Sequence, residues 1–202
     1  PLPRIAQASP IFGSAVSDIN GDGNLDIYVV QNFFGPQRET GYMDGGVSLL
    51  LLGDGTGRFQ EIFPDESGLI VPGAGMSLTV SDLNGDGCPH YLVGVNNDGL
   101  IYFENQSQEK FTVVRLPGLT KKQNYIGAKI KVLFMDNSIQ LHELYAGSGY
   151  LSQSVPILFF ASNENELRVK RIEIRWPDGT IKNIVDGKER TNNNLSLLMK
   201  NK

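Results

Sequence analysis

The sequence predicts an all-β chain in which two four-stranded units, of the kind that form blades of a β-propeller, precede a separate β-rich domain. Three observations support this prediction. A loop motif at 17–23 returns at 81–87, with strand-like segments around both copies. A closing hairpin follows each copy, which gives four short antiparallel strands per unit, as in a propeller blade. After residue 116 the repeat ends and longer strand-like segments begin.

The first loop, 18–26, has the pattern of a calcium site. Oxygen-bearing side chains occupy alternate positions around a glycine-rich turn, and Ca²⁺ takes about six to eight oxygen ligands at about 2.3–2.6 Å. We expect four side chains and one backbone carbonyl to bind the ion. These are the side chains of Asp18, Asn20, Asp22 and Asp26 and the carbonyl of Asn24.

Two other interpretations of this loop are weaker. An EF-hand begins in the same way, but it needs a Glu at loop position 12, where this chain has Val29, and it needs flanking helices. The flanks 13–16 and 27–30 are small and β-branched, which favours strands. An ordinary hairpin turn explains the glycines. A turn does not require acids at both ends of the loop, and three crowded carboxylates repel one another unless a cation lies among them.

The second loop repeats the first with a changed last position. Its candidate ligands are Asp82, Asn84, Asp86, Cys88 and His90. An imidazole nitrogen is a poor ligand for a hard cation, and Pro89 pushes the residue before it toward extended geometry. We therefore expect an ordered loop that binds calcium weakly, and tighter binding after His90→Asp. A softer metal on Cys88 and His90 is an alternative, although one Cys and one His do not make a zinc site.

The two units are expected at about 12–62 and 76–116, within a propeller region 1–116. The expected strands flank the loops and form the closing hairpins, at 13–16, 27–30, 47–51 and 58–62, then at 91–94, 100–103 and 110–114. A polar, glycine-rich insertion at 35–46 predicts a surface loop, and 64–68 predicts a single helical turn between the units.

The remaining residues, 117–202, predict a β-rich domain without calcium loops. Six segments are candidate strands, at 126–135, 140–146, 155–160, 169–176, 181–185 and 195–199. The stretch Trp176 to Thr180 has the Pro and Gly of a hairpin turn. Ile172 and Ile174 alternate with charged residues, which predicts one buried face and one solvated face.

Charge and composition restrict the location and partners of the chain. The net charge of −4 is unevenly distributed. Residues 1–116 contain 5 Lys and Arg and 14 Asp and Glu, whereas residues 117–202 contain 13 Lys and Arg and 8 Asp and Glu. The single cysteine excludes an internal disulfide, and no apolar run approaches the roughly 20 residues that span a bilayer. The chain starts at Pro1, which suggests a processed piece. Open calcium loops are typical of extracellular modules, so we expect an extracellular, periplasmic or cell-surface location.

Two family resemblances follow from these motifs. The loops at 18–26 and 82–90 resemble FG-GAP repeats of the VCBS kind, found in the propellers of integrin α subunits and in secreted bacterial proteins. The segments 124–129, 147–154 and 174–179 are similar to the ASPIC/UnbV domain, which follows FG-GAP repeats in cartilage acidic protein and bacterial relatives. The resemblance implies calcium bound at the edge of a propeller, where it holds a blade together.

The sequence favours a non-enzymatic calcium-binding module for interaction or adhesion. Its two histidines lie near no nucleophile motif. The alternative is an accessory or substrate-binding part of a biosynthetic or carbohydrate-processing enzyme. A basic stretch could meet a protein or an anionic polysaccharide, or could only protect a strand edge; it comprises Arg168, Lys170, Arg171 and Arg175. Nucleic acid is not expected as a partner. Two blades leave open edges, so we expect further blades or neighbouring chains to cover them.

Overall fold

The computed structural model describes residues 2–8, 10–32, 46–107, 109, 111–116, 125–147, 149–161, 169–185 and 194–196. Two short helices lie in this part of the chain, α1 (Arg4–Ala8) and α2 (Pro64–Ser67). Its strands are β1 (Ile11–Ser17), β2 (Asp26–Gln31), β3 (Leu49–Gly53), β4 (Phe59–Ile62), β5 (Gly75–Ser81), β6 (His90–Val95), β7 (Leu100–Phe103), β8 (Phe111–Arg115), β9 (Lys129–Phe134), β10 (Ile139–Glu143), β11 (Ile157–Ala161), β12 (Val169–Arg175), β13 (Ile181–Val185) and β14 (Asn194–Ser196). Neither described helix is long and apolar enough to cross a membrane.

The first repeat forms the predicted four-stranded antiparallel sheet. Its strands lie in the order β1-β2-β3-β4, and the loop 18–25 joins β1 to β2. The insertion predicted at 35–46 lies almost wholly outside the described residues. After β4 the predicted helical turn is present as α2. The helix ends at Ser67, and Gly68 caps it in the left-handed conformation with φ of 74°.

The second repeat forms a three-stranded sheet, β5-β6-β7, and this corrects one assignment. The segment 110–114, expected to close this unit, overlaps β8, which lies between β11 and β14 in a different sheet. The physical reason is burial on both faces. Residues Phe111 to Val114 are all buried, whereas β4, the closing strand of the first unit, is mostly half-exposed or exposed. A strand buried on both faces belongs in the interior of a fold.

The C-terminal part adds a second four-stranded sheet in the order β10-β9-β12-β13. The predicted strands of 126–185 are present with bounds that differ from the predicted ones by at most three residues. β14 covers the start of the predicted strand 195–199 and pairs parallel to β8. The turn after β12 is also present, since the Trp176 N–H donates to the Thr180 carbonyl at 2.9 Å. Ile172 and Ile174 are buried as predicted, and Trp176 is half-buried.

The prediction of an all-β chain is confirmed, whereas the predicted domain boundary between residues 116 and 117 stays a prediction.

The sheet β11-β8-β14 separates two hydrophobic cores. On β8, Phe111 and Val113 pack with the two repeats, whereas Val114 packs with the C-terminal sheet. On β11, Phe159 packs with the two repeats and Phe160 packs with the C-terminal sheet. Because successive side chains of a strand point to opposite faces, these two strands serve as a wall common to both cores.

The segment 149–154 covers the free edge of β5. The Ser152 hydroxyl accepts from the Leu78 N–H at 3.3 Å and donates to the Leu78 carbonyl at 2.9 Å. The Ser154 hydroxyl accepts from the Val80 N–H at 3.1 Å. These side chains satisfy backbone groups that an edge strand otherwise leaves unpaired. They also attach the C-terminal part to the second repeat.

Replacing Ser152 with alanine tests this attachment. The Leu78 N–H and carbonyl would lose their partner, and leaving buried polar groups unsatisfied lowers the free energy of unfolding by about 1–3 kcal/mol. Chemical denaturation with urea measures the change. Ser138→Ala is the control, since its hydroxyl donates to Asp136 in an exposed turn and should change stability by less than about 0.5 kcal/mol. Equal effects of the two variants would argue against the attachment.

Candidate metal centres

Both candidate loops connect the first two strands of a repeat. The first joins β1 to β2 and the second joins β5 to β6. Their glycines adopt matching left-handed conformations, with φ of 80° and 88° at Gly21 and Gly23, and 82° and 89° at Gly85 and Gly87. Glycine adopts this conformation without steric penalty, so the two loops share one backbone turn.

In the first loop the two end carboxylates are buried and point toward backbone N–H groups. Asp18 Oδ1 accepts from the Gly21 N–H at 2.7 Å, and its Oδ2 accepts from the Gly23 N–H at 2.8 Å. Asp26 is fully buried and accepts from the N–H groups of Ile19 at 2.8 Å and Gly53 at 2.9 Å. Both ends of the loop are therefore held by local hydrogen bonds and by the adjacent strand β3.

The middle of the first loop is half-buried. Asn20 Oδ1 accepts from the Asp22 N–H at 3.1 Å, and Asn20 Nδ2 donates to Asp22 Oδ2 at 3.0 Å. Asp22 Oδ1 accepts from the Asn24 N–H at 2.8 Å. Asn20, Asp22 and Asn24 are consequently linked into one turn. The carboxylate oxygens of Asp18, Asp22 and Asp26 do not all lie within 4.8 Å of one another.

The electrostatics of the first loop disfavour its ionised carboxyls. Burial raises the pKa of Asp18 from 3.8 to about 7; the Gly23 and Gly21 N–H groups oppose this, while Asp26 and Asp22 add to it. Burial likewise raises the pKa of Asp26 to about 6, against the N–H groups of Ile19 and Gly53. Among the described residues, no Lys, Arg or His forms an ion pair with these acids. A cation at the loop would therefore relieve an unfavourable concentration of negative charge.

The donor set of the first loop fits a hard cation. All of its predicted side-chain ligands offer oxygen, which Ca²⁺ prefers. A carboxylate oxygen that accepts one N–H retains a second lone pair for an ion. The side chains that would hold calcium are Asp18, Asn20, Asp22 and Asp26, with the carbonyl of Asn24. The ion would supply positive charge there.

The second loop repeats the local hydrogen bonds of the first. Asp82 Oδ1 accepts from the Gly85 N–H at 2.8 Å, and Asn84 Oδ1 accepts from the Asp86 N–H at 3.0 Å. Asp86 Oδ1 accepts from the Cys88 N–H at 2.7 Å. The second loop therefore has the same hydrogen-bonded turn as the first.

Two additional partners distinguish the second loop. Fully buried His90 places Nε2 2.9 Å from Asn84 Oδ1 and 3.2 Å from Asp86 Oδ1. Its Nδ1 accepts from the Asn105 N–H at 3.0 Å. Arg115, on β8, lies 2.5 Å from Asp82 Oδ2. The ligand atoms of Asp82, Asp86 and His90 lie within 4.8 Å of one another, the one such group of three among the described residues.

The donor set of the second loop does not fit calcium. It contains two carboxylates and an imidazole, and one carboxylate already has a guanidinium partner. Although partial burial would raise the pKa of Asp86, the N–H of Cys88, the amide of Asn84 and nearby His90 hold it below its ordinary value. Burial, together with Asp86, raises the pKa of the half-buried Cys88 thiol to about 11, so at neutral pH it is not a thiolate ligand.

The other sequence candidates lie apart from the loops. His142 stacks on Phe160 with ring centroids 4.3 Å apart, and burial lowers its pKa to about 4. In the basic stretch, Arg171 and Arg175 are exposed, and Lys170 donates to Asn137 Oδ1 at 3.2 Å. Arg168 lies outside the described residues.

The sequence did not identify three residues at these loops. Arg115 pairs with Asp82 from 33 positions away, and the Gly53 N–H reaches Asp26 from 27 positions away. Asn105 contacts both loops, since its Nδ2 donates to the Ile19 carbonyl at 2.9 Å and its N–H donates to His90. None of these residues belongs to the repeated motif, so its spacing carried no signal for them.

Comparison with known families matches both halves of the chain. Residues 18–93 match the model of an FG-GAP-like repeat. Residues 118–199 match the model described as ASPIC and UnbV. A search of curated proteins found no significant match.

Proposed function

We propose, from the premise that this chain joins FG-GAP-like repeats to an ASPIC and UnbV domain, that it is a non-enzymatic interaction module stabilised by calcium. The repeats are of the β-propeller type, and the module acts outside the cytoplasm, in the extracellular or periplasmic space or at the cell surface. Millimolar calcium in an extracellular environment would fill an open loop that cytosolic calcium rarely fills.

One observation carries this proposal: the first loop buries two carboxylates without a cationic partner among the described residues. Asp18 is 1% exposed and Asp26 is 0% exposed. Burying an ionised carboxylate is strongly unfavourable unless it is paired or binds a metal. The all-oxygen donor set selects a hard cation. The role of the ion is structural, because it would hold β1, β2 and the end of β3 together through one loop.

The environments of the histidines support a role other than catalysis. His142 packs against an aromatic ring with its pKa lowered by burial, and His90 is bonded on both ring nitrogens within the second loop. A general base needs access to the proton that it removes. His90 lacks that access because both of its ring nitrogens have partners. Half-buried His142 lines a cleft, but a pKa of about 4 makes it a weak base at neutral pH.

The proposed partners are anionic proteins or polysaccharides and further blades. The outer face of the C-terminal sheet carries more basic than acidic side chains. Along β12 and β9, Arg175 lies beside Lys129, Glu173 beside Lys131 and Arg171 beside Leu133. Glu143 pairs with Lys129 at 3.3 Å and reduces the positive charge at one end of this face. The β7 edge of the three-stranded sheet is the natural contact for another blade or a neighbouring chain.

A cleft favours the second candidate function, an accessory or substrate-binding part of an enzyme. It has a volume of about 330 Å³ and lies between the first loop, the β3–β4 turn and strand β10. Gln140 lines it, and Gln140 Oε1 is buried without a hydrogen-bond partner. Pockets of this size can hold a small molecule. A ligand bound in this cleft would support the second candidate.

Removal of calcium tests the main proposal. If calcium binds only the folded chain, a hundredfold excess over its dissociation constant adds about 2.7 kcal/mol to the free energy of unfolding. We expect EDTA to lower the melting temperature by about 5–10 °C, and Asp22→Ala to abolish this difference. Circular dichroism melts with and without EDTA provide the measurement.

Asp65→Ala is the matched control, because this exposed acid lies in α2, outside both loops. It should retain the full effect of EDTA. A melting temperature that does not respond to EDTA in the unmodified chain would exclude a calcium-stabilised first loop.

A further inference from the structure

We propose that the second loop, 82–90, is a metal-independent copy of the first, in which Arg115 and the Nε2–H of His90 take the place of the cation. The inference concerns a different loop from the one that carries the proposed function and does not depend on calcium at the first. It follows from a position-by-position comparison of the two loops.

The first difference lies at the opening acid. Among the described residues, the hydrogen-bond donor to Asp18 Oδ2 is the backbone N–H of Gly23, whereas the equivalent oxygen of Asp82 faces the guanidinium of Arg115. The Asp82 side chain is fully buried and the Arg115 side chain is 33% exposed. A buried carboxylate with a guanidinium at 2.5 Å has its charge compensated by the chain itself. Arginine retains this charge at all physiological pH values.

The second difference lies at the closing position. The Asn105 N–H can only donate, so His90 Nδ1 must accept and carries no proton. In a neutral imidazole the proton is then on Nε2, the nitrogen that faces Asn84 Oδ1 and Asp86 Oδ1. A protonated Nε2 has no lone pair for a metal. His90 therefore donates to the loop oxygens that a cation would otherwise draw together.

The two substitutes are anchored outside the loop. Arg115 ends β8, the central strand of the sheet that separates the two cores. His90 is held by Asn105 and by Tyr102, whose ring lies edge-on with the centroids 5.8 Å apart. The second loop is thereby joined to the sheet between the two cores and to the end of its own repeat, and it should keep its shape when calcium is absent.

A double-mutant cycle in EDTA tests the ion pair. We expect Asp82→Asn and Arg115→Gln each to lower the melting temperature by about 5 °C, because each leaves the other partner uncompensated. The double variant should lose less than the sum of the two. Arg175→Gln, which changes an exposed arginine, is the control and should shift it by less than about 2 °C. If the double variant loses as many degrees of melting temperature as the two single variants together, Arg115 does not compensate the charge of Asp82.

Calcium titration of the second loop alone gives the complementary test. All variants carry Asp22→Ala, so that binding at the first loop does not contribute. We expect no measurable calcium binding in this background and little or none after His90→Asp while Arg115 remains. The variant that combines His90→Asp with Arg115→Gln should bind calcium at least about tenfold more tightly than His90→Asp alone. Calcium binding to the Asp22→Ala variant would overturn the proposal. It would also be overturned if His90→Asp alone raised calcium affinity as much as His90→Asp with Arg115→Gln, or if that combination did not raise it. Because the first loop is disabled throughout, these outcomes do not depend on its affinity.

Discussion

Replacing Phe160 with alanine lowers the free energy of unfolding by about 3–5 kcal/mol, and Phe159→Ala has a similar effect, although the two side chains enter different cores. Phe160 is 0% exposed and packs on the C-terminal side, with His142 stacked on its ring. Phe159 is 4% exposed and meets Phe111 edge-on on the side of the repeats. Truncating either side chain removes its buried contacts and leaves a cavity.

Because β11 belongs to the wall between the cores, we expect both cores to unfold in a single transition. Each variant should lower the temperature of that transition. Differential scanning calorimetry measures this, and a loss of this size lowers the melting temperature by about 10 °C or more in a chain of this length. Ile139→Ala is the control, since Ile139 is 55% exposed and should change stability little. Two separate transitions, with each variant affecting only one, would contradict a shared wall.

How much of this fold the sequence predicts depends on how local the determining interactions are. The two repeated loops could be predicted because their candidate ligands lie at fixed spacing within nine positions. The turn of α2 was located from a proline at its start and a glycine after its end. In each case the residues that define the feature are neighbours along the chain.

The sheet that contains β8 could not be predicted in the same way. Residues 110–114 alternate like the closing strand of the first unit, and such a pattern does not identify a pairing partner. The observed partners are β11 and β14, which lie far along the chain. The same limit applies to the loop contacts of Arg115 and Asn105, whose roles depend on how the sheets are brought together.

Gly53→Ala should distort the first loop through a contact with the loop backbone. The N–H of Gly53, the last residue of β3, donates to Asp26 Oδ1 at 2.9 Å. A Cβ at this position would overlap the Leu25 carbonyl oxygen and lie 3.3 Å from the Phe59 ring. A backbone oxygen cannot rotate away as a side chain does, so the loop itself must shift.

We expect this variant to lose about 3 kcal/mol of unfolding free energy and at least about tenfold in calcium affinity, because displacing Leu25 also displaces the adjacent Asp26. Urea denaturation in EDTA measures the first loss and calorimetric calcium titration measures the second. Gly99→Ala is the control, since its Cβ would meet no atom within 4 Å and its backbone has no left-handed φ. If Gly53→Ala destabilises the chain but leaves calcium affinity unchanged, the contact between β3 and Asp26 supports the sheet alone. If both quantities fall together, the end of β3 is part of the calcium site.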